Sequence, residues 1–96
     1  MKKVMNILDK FKISDIGVVI SGINPKFDKL EKEKIEKLIG KSIVIRKPGG
    51  SETQVTVTGV DVASSLIGKI NISIQLGDTI ELEDLEVNST VYSTGS

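Results

Sequence analysis

Five acids crowd one short stretch of this 96-residue chain: Asp78, Glu81, Glu83, Asp84 and Glu86. Carboxylates this close in sequence can hold a divalent cation or share protons for general acid–base work. The stretch lacks the aspartate–glycine register of a calcium loop, and Ile80, Leu82 and Leu85 interleave with the acids. That pattern describes a solvated edge with apolar anchors, and no metal or cofactor is expected. The chain contains no histidine and no cysteine. The commonest general base, the thiolate nucleophile and the usual ligands of transition metals are therefore missing. Gly40-Lys41-Ser42 has the look of the end of a phosphate-binding loop. That motif requires a glycine five residues earlier, where Ile35 stands, and a helix after the lysine. Asn71-Ile72-Ser73 and Asn88-Ser89-Thr90 are glycosylation sequons by pattern. They carry no weight without a secretory segment, and the apolar stretch Val4–Leu8, broken by Asn6, is too short to be one. The expectation is a cytoplasmic protein that binds and does not catalyse.

The net charge is zero, but its distribution is uneven. Residues 1–50 hold twelve Lys/Arg against six acids, and residues 51–96 hold Lys69 against seven acids, leaving +6 and −6. Such asymmetry suits an electrostatic footprint for a partner, or two halves that neutralise each other in the fold. Lys41, Arg46 and Lys47 form the candidate basic surface. Single-strand nucleic-acid platforms want aromatics in a basic groove, and here the aromatics are only Phe11, Phe27 and Tyr92.

The elements that would position these residues are mostly strands. Phe11–Ser21 is dense in Ile and Val and reads as one strand, with Gly17 marking a bulge or bend. Asn24-Pro25 ends that run. Asp28–Ile39 reads as the one helix, with Asp28 as its N-cap, Glu31 completing a capping-box pattern, and Gly40 as its stop. Its apolar face, Leu30, Ile35, Leu38 and Ile39, should dock on a β body. Ser42–Lys47 is a strand before the turn Pro48-Gly49-Gly50-Ser51. Thr53–Val62 alternates with a slip at Gly59, and Lys69–Leu76 alternates again. Thr79–Leu82 and Thr90–Ser93 read as short closing strands. The expected core includes Val19, Ile43, Ile45, Val57, Val60, Ile70, Ile72 and Ile74.

The order of these segments resembles the second-domain β-barrel of translational GTPases of the elongation factor Tu type. Gly17-Val18-Val19-Ile20-Ser21-Gly22 is similar to the family's strand ending in GxVVTG. Gly40-Lys41-Ser42-Ile43-Val44-Ile45 and Val55-Thr56-Val57-Thr58-Gly59-Val60-Asp61 are similar to the two segments that follow it there. Gly68-Lys69-Ile70-Asn71-Ile72 resembles the family's GDNVG segment. Glu83-Asp84-Leu85-Glu86-Val87-Asn88 resembles its DEVERG turn, with Asn88 in place of glycine. The resemblance runs from about Phe11 to Ser93. The pattern of six or seven short strands with glycine-rich turns fits a small antiparallel barrel or sandwich; the resemblance implies the barrel, mainly β, filling residues 1–96 as one domain. Residues 1–10 would be an N-terminal extension and residues 28–39 an inserted helix.

The GTPase domain and its phosphate loop have no counterpart here. In the family the barrel helps to hold the aminoacyl end of tRNA, which carries over onto Asp61, Val62 and Asn71 as a partner-binding site. Ile16 stands where the family has arginine. Asp61 and Asn71 also have plain readings, as a strand-end turn residue and a barrel hydrogen-bonding residue. A protein is the expected partner, with translation-associated RNA as the alternative and no membrane contact. The alternative to a binding module is a structural subunit that self-associates, the basic half of one copy against the acidic half of another.

Overall fold

The computed structural model describes residues 1–94. It is mainly β, with two four-stranded antiparallel sheets and one α-helix. The strands are β1 (Lys2–Asn6), β2 (Asp9–Ile13), β3 (Gly17–Gly22), β4 (Ser42–Arg46), β5 (Glu52–Thr56), β6 (Gly59–Ser64), β7 (Ile70–Gly77) and β8 (Thr90–Ser93), with α1 (Lys32–Ile39) between β3 and β4. The first sheet runs β1-β8-β4-β5 and the second β2-β3-β7-β6. Each sheet thus mixes strands from the basic and the acidic half of the chain.

Eight strands stand where the sequence pattern gives six or seven, and the differences have local causes. The run Phe11–Ser21 does not stay in one strand. At Asp15 and Gly17, both at positive φ (70° and 94°), the chain reverses and pairs β2 with β3. The N-terminal extension is itself structural, since β1 pairs with β8. Thr53–Val62 is divided between sheets. Val57 N–H donates to Lys41 O in the first sheet, and the very next amide, Thr58, donates to Gln75 O in the second. Gly59 serves this corner: a Cβ there would lie 2.8 Å from Gln75 Oε1. The chain makes the same crossing at residues 7–8, where Ile7 N–H donates to Ser89 O and Leu8 N–H to Ser21 O. Thr79–Leu82 is not a strand. Gly77, at φ 67°, ends β7, the Thr79 hydroxyl bonds back to Leu76 O, and a short 3₁₀ turn follows at Leu82–Asp84.

The helix is shorter than its pattern. A 3₁₀ turn at Pro25–Phe27, capped by the Asn24 side chain, takes up the preceding residues, and α1 begins after Glu31, whose side chain makes no capping bond. Asp28 is not its N-cap; Asp28 Oδ1 accepts the Ile70 amide at the start of β7 instead. Gly40, at φ 78°, closes the helix as its composition suggests. Ile35 and Ile39 are fully buried, while Leu30 and Leu38 are partly buried against the core.

That core lies between the sheets. β4, β5 and β8 contribute Ile43, Ile45, Val55 and Val91, and β3 and β7 contribute Val18, Ile20, Ile70, Ile72, Ile74 and Leu76. Val57 and Val60 pack at its margin, being partly buried at the corner. Val19 is buried on the opposite face of β3, outside this cluster, because strand neighbours alternate sides.

Candidate partner-binding surface

β6 and β7 pair with Asp61 opposite Ser73, Val62 opposite Ile72 and Ala63 opposite Asn71. Directly opposed residues point to the same side. Ile72 and Ile74 point into the core, so Asp61 and Asn71 share the outer face as diagonal neighbours, roughly 7–8 Å apart. Val62 lies on the other side, half-buried against the core. The structure therefore brings two of the three expected site residues together and assigns the third to packing.

Asp61 is exposed. Its Oδ1 accepts the Val62 amide at 3.0 Å and lies 3.6 Å from Lys32 Nζ, which also approaches Glu36. Ion pairs this open to water contribute little to stability. Asn71 is exposed on the rim of a hollow of about 360 Å³ that is also lined by Ile23, Ala63, Ser64, Ser65, Lys69 and Ile70. Beyond it the β6–β7 turn lifts Leu66 and Ile67 out of the molecule, with Leu66 fully exposed and Ile67 78% exposed. The turn is braced from beneath. Ser65 N–H donates to Lys69 O, Ser65 O accepts the Gly68 amide, and Ser65 Oγ accepts the Lys69 amide. Gly68 sits at φ 81°, as the reversal requires. Two adjacent large apolar side chains on a braced tip are a feature the strand-by-strand reading passes over. Their signal is an apolar pair between Ser64-Ser65 and Gly68-Lys69, where turn residues are ordinarily polar.

The basic residues do not converge. Lys41 and Lys47 flank the two ends of β4, roughly 20 Å apart at strand spacing. Lys41 lines a hollow of about 700 Å³ between α1 and the 57–60 corner, beside Lys37 but also beside Glu33 and Glu36. Arg46 is engaged: its Nε donates to Glu52 Oε2 at 2.7 Å, and the guanidinium lies over the Tyr92 ring, 5.2 Å from the centroid. Donating this hydrogen bond to the Glu52 carboxylate, together with that group's negative charge, raises the Arg46 pKa above its ordinary value. Lys41 follows a helix C-terminus and precedes a strand, where a phosphate-binding loop would lead into a helix.

The acid-rich stretch is held by a lysine from elsewhere. Lys10 Nζ donates to the carbonyls of Leu82 at 3.0 Å and Leu85 at 2.6 Å, closing the 3₁₀ turn at Leu82–Asp84. Leu85 is buried and Ile80 and Leu82 are partly buried, while the acids between them are exposed. Among the described residues no three acidic side chains converge on a point where a metal ion could sit, and no helix is long and apolar enough to cross a membrane. No protein-family model and no curated protein matches the chain.

Proposed function

We propose that this chain is a non-catalytic binding module, working in the cytoplasm, that grips a protein partner on the outer face of β6 and β7. The observation that carries this reading is the exposed apolar tip Leu66-Ile67 standing directly beyond the exposed pair Asp61 and Asn71. A contiguous apolar projection rimmed by polar groups is what a protein contact uses, since its burial releases water and its rim sets the orientation. An RNA backbone would want clustered cations. Here Lys41 and Lys47 stand apart and Arg46 is paired with Glu52.

The barrel reading implied by the resemblance to translational GTPases draws support from the two crossings. If β1 with β2, and β5 with β6, are each counted as one bent strand, six strands remain and the edge of each sheet continues into the other. In that family the corresponding surface meets the aminoacyl end of tRNA. With Ile16 in place of the arginine, a protein is the better occupant here. Self-association through oppositely charged halves draws less support, because both sheets interleave the halves.

The test is capture of partners from native lysate by the intact chain and its variants, with and without nuclease. Asp61→Ala with Asn71→Ala, and Leu66→Ser with Ile67→Ser, should each lose the captured protein. Lys41→Glu with Lys47→Glu, and nuclease treatment, should leave it bound. Retention by the first two variants, or loss on nuclease treatment, overturns the reading.

A further inference from the structure

Each sheet has two edge strands, β1 and β5 in the first and β2 and β6 in the second. Three of them are guarded against pairing with another chain. On β1, Lys2 and Lys3 precede a register shift, and the Asn24 amide donates to Val4 O at 2.7 Å. β2 carries Lys10 and Lys12, and Lys10 reaches round to the carbonyls of the 82–85 segment. Against β6 lies α1, with Lys32 beside Asp61. Edge lysines, bulges and covering elements are the devices that keep sheets from joining. β5, Glu-Thr-Gln-Val-Thr, carries no lysine and no bulge against β4, and its single charge, Glu52, stands at its first position.

Which backbone groups of β5 are free follows from the ladder. Lys47 N–H donates to Ser51 O and Val57 N–H donates to Lys41 O. With the β4–β5 register, this turns the N–H and C=O groups of Thr53 and Val55 toward β4, and those of Glu52, Gln54 and Thr56 outward. Among the described residues these outward groups have no backbone partner.

We infer that β5 is a homodimer edge, on which two copies pair antiparallel about a twofold axis through Gln54 and join their first sheets. Of the registers that bring outward groups together, this one pairs all three outward residues of each copy within the strand. Centred on Gln54, it sets Glu52 opposite Thr56 of the second copy, so no like charges meet. Each copy's Glu52 charge is already offset by its own Arg46. Centring on Glu52 would oppose two carboxylates, and centring on Thr56 would run into the corner where the chain leaves the sheet at residues 57–58. An edge of five residues buries less than the roughly 1,200 Å² of a standard interface, so the dimer forms at high protein concentration. This surface is on the other sheet from the partner face proposed above and does not rest on it.

The purified chain alone provides the test, so its outcome is separate from that of the lysate experiment. Sedimentation equilibrium up to millimolar protein should show a reversible monomer–dimer equilibrium, and amide exchange at Gln54 should slow as concentration rises. Gln54→Lys places like charges across the twofold axis, and Gln54→Pro deletes the outward N–H without touching the ladder to β4. Each should weaken association by about tenfold or more. Gln54→Lys should also keep the wild-type urea midpoint at low concentration, which decides the matter if the proline variant fails to fold. A wild-type chain that stays monomeric at millimolar concentration overturns the proposal, as does a Gln54→Lys dimer of unchanged affinity. Protection of the Gln54 amide by an added extended peptide without any dimer would give this edge to a different chain and equally overturn it.

Discussion

Gly17 and Gly50 both adopt positive φ, 94° and 101°, yet they answer different needs. A Cβ at Gly50 would meet nothing within 4 Å, whereas one at Gly17 would lie 2.5 Å from the Gly77 carbonyl. Gly50→Ala should therefore cost only the backbone term, about 1–2 kcal/mol. Gly17→Ala adds a collision with main chain that cannot move aside, and should cost about 3 kcal/mol or more. Urea unfolding of the two variants measures the gap, and equal losses would remove the close approach of Gly17 to Gly77 as a constraint. At this scale the sequence marks glycines as special without saying why. The atoms that a Cβ at Gly17 would strike belong to a residue sixty positions away. Asp28 and Lys10 behave alike: their partners, the Ile70 amide and the Leu82 and Leu85 carbonyls, are remote in sequence.

At the scale of elements, the apolar stripe of α1 identifies the docked face, and depth then grades its members. Ile35 and Ile39 are fully buried; Leu38 is only partly so. Ile35→Ala should cost about 3 kcal/mol and Leu38→Ala about 1 kcal/mol, since cavity cost follows how completely the lost atoms were enclosed. Thermal or urea melts of the pair test the ordering, and a larger loss at Leu38 would mean that the helix docks on a different face. The β6–β7 hairpin shows the same division between pattern and depth. Alternation from Ile70 to Leu76 identifies its inner residues, and by elimination puts Asn71 outside. The partnership of Asn71 with Asp61 needs the register, which is set by the 65–68 turn.

Across the whole molecule, the chain passes from one sheet to the other at residues 7–8 and at residues 57–58, each time with adjacent amides bonded in different sheets. Neither sheet can open without pulling on both corners, and the core is shared between them. Unfolding should accordingly be a single cooperative transition, with tyrosine fluorescence from Tyr92 in the first sheet and far-UV dichroism giving coincident midpoints. Separate midpoints would show that the sheets melt independently and that the corners do not couple them.

The residue types themselves settled much about this protein. Alternating Ile and Val made it a β structure, because one face of each strand has to be buried. The single 3.6-residue apolar stripe with its terminal glycine located the helix to within a turn. The tertiary structure alone decided where the long apolar runs break, which strands pair and which edges stay open. A strand that bends into a second sheet keeps its alternation, so Thr53–Val62 reads as one element although its two halves bond to different partners. For the same reason Asp61 and Asn71 become neighbours, Lys41 and Lys47 are held apart, and β5 keeps its outward hydrogen-bonding groups free. Each of these depends on pairing between segments distant in the chain, which local pattern does not encode.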